Sequence, residues 1–133
     1  MMRFKLNNEI LKYNVFSFDF DGTLDDDFDG TLNTQKDEIR EICRQLITHG
    51  KKVYIITKRL GPNHNESKKV IDLSKQLLIN NIYFTNRELK TDKIRELSVE
   101  VHFENDKYES DIIEKIPIIV IHIEDPYWRD LVY

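Results

Sequence analysis

Two aspartates stand two residues apart in Asp19-Phe20-Asp21-Gly22-Thr23-Leu24, directly after the apolar run Val15-Phe16-Ser17-Phe18. The run has the length and composition of a buried strand, so the carboxylates fall at its C-terminal end, where open α/β sheets do chemistry. Acids two apart in a strand project to one side, and a tight turn at Gly22 lets both face one cation. A hard divalent ion there neutralises charge that would repel a phosphate, and a carboxylate can take up a phosphoryl group covalently. The pattern predicts a magnesium-assisted phosphoryl-transfer site.

Asp-x-Asp-Gly-Thr-Leu after a hydrophobic strand resembles the first signature of the haloacid dehalogenase (HAD) superfamily. The resemblance implies that Asp19 is a nucleophile and that Asp21 protonates the leaving oxygen and later activates water. It also implies that both hold Mg2+, and that Gly22 belongs to the substrate-binding residues. The hexapeptide recurs as Asp27-Phe28-Asp29-Gly30-Thr31-Leu32, preceded by Asp25 and Asp26 instead of an apolar strand. Without a sheet edge to hold its carboxylates, the second copy is not the site. Asp29-Gly30 is a two-residue hairpin-turn signal, and superfamily members carry a β-hairpin flap at this point, so residues 24–33 read as a flap.

The later signatures should follow at the ends of later strands. Thr57 closes Val53-Tyr54-Ile55-Ile56 and resembles the second signature, whose hydroxyl hydrogen-bonds the transferring phosphoryl group. Lys58 and Arg59 come next and are candidates for holding a substrate anion, for which the guanidinium fork is suited. The third signature is a lysine near the start of the helix before strand four, placed to stabilise negative charge. Lys90, just ahead of a predicted N-cap Thr91, is preferred; Lys93, one turn in, is the alternative, and Arg87 a third choice. At the fourth signature the chain departs from the usual Asp-Asp or Gly-Asp, with His102-Phe103-Glu104-Asn105-Asp106. In one register Glu104 and Asn105 replace the acid pair; in the other Asn105 replaces the glycine and Asp106 acts with Asp111. The implied metal set is Asp19, Asp21, Glu104, Asn105 and Asp106, with affinity lowered by the neutral amide.

The positioning elements alternate. Strands are predicted at 15–20, 53–56, 82–84, 99–103 and 118–123. Helices are predicted at 35–48, capped by Thr34 and stopped by Gly50, and at 66–78, 91–97 and 108–115. Five strands alternating with helices predict a parallel, doubly wound, Rossmann-like three-layer sandwich. Residues 125–129 should cap the core, and Cys43, on an apolar helical stripe, should be buried and inert.

With 133 residues, 40% hydrophobic and 33% charged, the chain reads as one globular domain over residues 1–133, with no stretch approaching a membrane span. A single cysteine precludes an internal disulfide, and the mixed segment 1–14 lacks a secretory leader, which together predict a cytoplasmic protein. A net charge of −4 gives no support for nucleic acid as partner. Of the histidines, His49 suits a helix C-terminus, His122 a strand, and His64 and His102 lie nearer the active edge; no pair has metal-ligand spacing.

The family's cap domains have no room here, since 24–34 holds only the flap and 57–90 one helix and one strand. An open site implies a phosphorylated substrate that is small, such as a nucleotide, or the phosphorylated end of a macromolecule. The resemblance thus implies a capless, magnesium-dependent phosphomonoester hydrolase. Two other readings stand beside it. Glu104-Asn105 favours a catalytically weak relative that binds a phosphorylated ligand or protein. A receiver domain is disfavoured, because its aspartate would end strand three, where Phe84-Thr85-Asn86 stands.

Overall fold

The computed structural model describes residues 5–133; residues 1–4, the start of the segment read as lacking a leader, lie outside the described residues. Strands β1 (Val15–Phe18), β2 (Lys52–Thr57), β3 (Asn81–Phe84), β4 (Val101–Glu104) and β5 (Ile119–His122) form one parallel sheet. Their spatial order is β3-β2-β1-β4-β5. The helices are α1 (Asn8–Leu11), α2 (Lys36–Thr48), α3 (Lys68–Leu77), α4 (Thr91–Glu96), α5 (Lys107–Ile113) and α6 (Arg129–Val132), with a 3-10 turn at Asn65–Ser67. The molecule is a Rossmann-like three-layer α/β sandwich, as the alternating pattern predicts. No described helix is long and apolar enough to cross a membrane.

Strand side chains alternate between two apolar layers. Phe16, Phe18, Val53, Ile55, Val101 and Phe103 pack with Ile39, Ile42 and Leu46 of α2, Val70 and Leu77 of α3, and Trp128 and Val132. Tyr54 and Ile56 pack on the other face with Ile94 of α4 and Ile113 of α5. Because both faces are covered, the strands read as continuous apolar runs. Cys43 is fully buried on α2, and burial pushes its thiol up to about 12. Trp128 caps the core as expected, with Nε1 donating to Gln35 Oε1 at 2.8 Å.

Several boundaries move for identifiable reasons. β1 ends at Phe18, not Phe20, because the Phe20 carbonyl already accepts turn bonds from Thr23, Leu24 and Asp25. The cap of α2 is Gln35, not Thr34, and that of α4 is Lys90, not Thr91; neither makes a side-chain cap bond. The 66–78 helix is divided between the 3-10 turn and α3, which ends on left-handed Leu78 at φ 62°. β4 runs one residue further than expected and includes Glu104. Residues 24–33 form turns, with Asp27 N–H donating to the Thr31 carbonyl at 2.9 Å. Apart from one isolated parallel bridge between Asp21 and Asp25 they carry no strand pairing, so the expected β-hairpin flap does not form. Neither α1 nor α6 was expected; each is one turn long, and the Asn7 N–H donates to the Val132 carbonyl at 2.8 Å, holding the two together.

β1 and β4 are joined at the sheet's centre by Phe18 and Phe103, whose rings stack at 4.4 Å with no solvent exposure. Phe103→Ala should lower unfolding free energy by about 3–5 kcal/mol, read as a shifted urea midpoint; a change below about 1 kcal/mol would mean the junction is not a packed centre.

Candidate active site

The chain runs outward from β1 through β2 to β3 and then returns to β4 and β5 on the other side, so β1 and β4 flank the point where the order reverses. Crevices at that point are where open α/β sheets bind ligands. Asp19 follows β1 there, and its N–H donates to the Phe103 carbonyl at 2.9 Å, extending the ladder by one bond. Asp19 is 5% exposed and Lys90 1%. Lys90 Nζ donates to Asp19 Oδ1 at 2.6 Å and to Glu104 Oε1 at 2.8 Å.

One ammonium thus serves two buried carboxylates. Burial, with the Glu104 charge adding to it and Lys90 opposing, pushes the Asp19 carboxyl up to about 8. Burial works against the Lys90 charge too, but Asp19 and Glu104 outweigh it and hold its pKa above the usual lysine value. The network continues inward. His102 Nε2 lies 2.9 Å from Glu104 Oε1 and Nδ1 lies 2.6 Å from Ser17 Oγ. Burial and the nearby Lys90 charge push His102 down to about 3, so the ring is neutral. A carboxylate oxygen only accepts, which assigns the ring hydrogen to Nε2 and leaves Nδ1 to accept from the Ser17 hydroxyl.

Asp21 takes a different partner. Arg59 grips it with both arms, Nε to Oδ2 at 3.0 Å and Nη2 to Oδ1 at 2.6 Å, while Nη1 donates to the Glu66 carbonyl. The guanidinium lies over Phe20 at 5.1 Å and Phe28 at 4.8 Å. Arg59, expected to hold substrate, is therefore committed to Asp21. Thr57 is buried at the end of β2, its hydroxyl accepting the Arg59 N–H at 3.3 Å, outside the cavity wall. Lys58 reaches the cavity and sits 3.5 Å from Glu109 Oε2. Lys93 pairs with Glu96 on the surface and Arg87 with Glu66, so among the three cations considered only Lys90 meets Asp19.

A cavity of 310 Å³ opens over this centre, walled by Asp19, Asp21, Asp27, Glu104, Asp106 and Glu109 against Lys58 and Lys90, with Asn105 between. Six carboxylates facing two ammonium groups would repel a phosphate dianion without added positive charge. Among the described residues no three or more Asp, Glu, His or Cys side chains are gathered in ligating geometry. Of the expected metal set, Asp21 is held by Arg59, and Glu104 accepts from Lys90 and His102 with one oxygen and from the Asp106 N–H with the other. Asp106 caps α5 through Oδ1, and Asp111 is paired with Lys107 on the surface. Asp106 Oδ2 carries no bond, and Asp19 Oδ2 and Asn105 Oδ1 converge on the Thr23 hydroxyl, at 3.2 and 3.5 Å. They fit a magnesium ion, which binds through few protein oxygens and retains its waters.

Gly22 shapes this corner. At φ 74° it adopts a left-handed conformation, and a Cβ there would stand 2.2 Å from Asn105 Nδ2. Its place is under the Asn105 amide. Glu109 was not anticipated: fully buried, it accepts the Lys90 N–H at 3.2 Å through Oε1 and so fixes the start of α4. Its signal was the Asp106-x-x-Glu109 spacing of a helix start. Ser17 could have been found by the period-two alternation that puts it on the face of Asp19, as the same period puts His102, already placed near this edge, on the face of Glu104.

The raised Asp19 carboxyl has a consequence for stability. Its folded value, about 8, lies above its ordinary 3.8, so the contribution of Asp19 is fullest below pH 4 and is lost as pH rises through 8. Asp19→Asn in EDTA should be more stable than wild type at pH 8 by at least about 1.4 kcal/mol, one pKa unit. The advantage should fade toward pH 4. Equal melting temperatures across that range would refute the buried charge imbalance.

The chain matches no protein-family model, no curated protein and no solved structure among those compared.

Proposed function

We propose that this chain is a capless HAD-type, magnesium-dependent phosphomonoester hydrolase. The observation that carries the reading is the Lys90 ammonium bridging the Asp19 and Glu104 carboxylates at the crevice between β1 and β4. It holds one Asp19 oxygen and leaves Oδ2, restrained only by the Thr23 hydroxyl, facing the cavity.

Once its proton has passed to solvent, Asp19 Oδ2 attacks phosphorus; the O–P bond to the leaving group breaks, and protonated Asp21 gives that oxygen its proton. A water then loses a proton to Asp21 and attacks phosphorus, releasing phosphate and restoring the Asp19 carboxylate. Lys90 stays with Asp19 Oδ1 throughout and offsets charge accumulating beside it. Magnesium, which Asn105 Oδ1 would hold beside Asp19, would supply the positive charge that admits the phosphate. Asp21 has to leave Arg59 before it can exchange a proton, and Arg59 is then free to face the phosphoryl oxygens.

The grip of Arg59 on both Asp21 oxygens favours a second reading, a domain that binds a phosphorylated ligand without turnover. Hydrolysis of an aryl phosphate separates the two. Turnover should require magnesium, fall by at least about 1,000-fold in Asp19→Asn as for loss of a nucleophile, and stay within about tenfold in Asp27→Asn. Absence of turnover in the wild type would favour the second reading; activity surviving in Asp19→Asn would exclude Asp19 as nucleophile.

A further inference from the structure

A second cavity, 370 Å³, lies beside the first and shares two walls with it, Asn105 and Asp27. Its volume falls in the range of small-molecule sites. Because the two cavities meet at Asn105 and Asp27, a phosphate ester seated on Asp19 has room to extend its leaving group past Asn105 into this space, and the wall chemistry there describes that group.

That wall is rich in acceptors. Asp27, Glu124 and Asp125 bring three carboxylates, and the one guanidinium, Arg129, is already paired with Glu38 at 2.6 Å. The Glu124 and Thr34 side chains are exposed and make no hydrogen bond or ion pair, while Asn33 and Gln35 have spent their amides on backbone and on Trp128. No aromatic face is open for stacking: Trp128 is 1% exposed and Arg129 lies 4.7 Å above its ring. Such a wall accepts hydrogen bonds from hydroxyl or ammonium donors, repels a second anionic group and offers a nucleobase no platform.

We infer that the second cavity is the leaving-group site, and that the substrate class is the monophosphate of a polyol or aminopolyol bearing no further anion. The inference rests on the phosphatase reading for the bond that is cut, but the cavity can be tested apart from it. Glu124 is the discriminating residue, exposed and unbonded, so Glu124→Lys should fold normally.

Two measurements on the full chain decide it. Relative kcat/KM with magnesium is taken for glucosamine 6-phosphate, 3-phosphoglycerate, AMP and an aryl phosphate. Calorimetric binding of glucosamine 6-phosphate is measured to Asp19→Asn, with and without Glu124→Lys. The aminohexose phosphate should exceed 3-phosphoglycerate and AMP by at least about tenfold in kcat/KM. Glu124→Lys should cut that ratio, and the binding constant, by about tenfold, the effect of losing one charged hydrogen bond. Turnover of all four phosphates without preference, or insensitivity to Glu124→Lys, would overturn the inference and leave the phosphatase standing. Binding that depends on Glu124 without turnover would uphold the cavity and overturn the phosphatase. Neither binding nor turnover would overturn both.

Discussion

A single ammonium between two buried carboxylates is the interaction on which this edge of the sheet depends. Lys90 reaches Asp19 at the end of β1 and Glu104 at the end of β4, so it ties together the two strands that flank the crevice. Removing the ammonium itself costs about 3–5 kcal/mol, because the two carboxylates it leaves behind have no water to turn to. The scaffold is built to hold it. Glu109 on α5 accepts the Lys90 N–H, which fixes where α4 begins and hence where the lysine stem points. His102, kept neutral, orients Glu104 from below, and Ser17 orients His102. The residual negative charge is what a cation would answer, and this joins the stability of the fold to the chemistry proposed for it.

Much of the fold was legible because the three central strands, β2, β1 and β4, are buried on both faces. A buried parallel strand must be apolar along its whole length, and Val53-Tyr54-Ile55-Ile56 or Val15-Phe16-Ser17-Phe18 can be little else. Helix ends were less legible. The donors at Lys90 and Gln35 are satisfied by Glu109 and Asn33, partners outside the helices concerned, so local cap rules pointed to Thr91 and Thr34. One-turn helices such as α1 and α6 have too few residues for a period to register.

The site divides in the same way. Asp19 and Lys90 were readable because each stands next to an element boundary that the sequence marks, and the choice between Lys90 and Lys93 needed only the direction in which the helix faces. The fourth signature was not readable: one extra residue of strand puts Glu104 on the face of His102 and Lys90, turning an expected metal ligand into a structural carboxylate. Arg59 could not be assigned from composition, since a guanidinium suits a phosphate and a carboxylate equally well. Only the fold brings Asp21 to it.

The repeated hexapeptide shows how far context outranks sequence. Gly22 and Gly30 share a left-handed backbone, at φ 74° and 91°, so the local turn preference is the same in both copies. What differs is the support. Phe20 and Leu24 of the first copy are fully buried beneath the sheet edge, whereas Phe28 and Leu32 are 56% and 77% exposed. Burial makes Asp19 a fixed carboxylate with a displaced pKa; exposure leaves Asp27 a solvated acid on the wall between two cavities. The two copies still act on one residue, because Phe20 and Phe28 both lie against the guanidinium of Arg59. The loop copy therefore packs over the cation that holds Asp21, and any movement that frees Asp21 for proton transfer has to carry Phe28 with it or slide Arg59 out from beneath it.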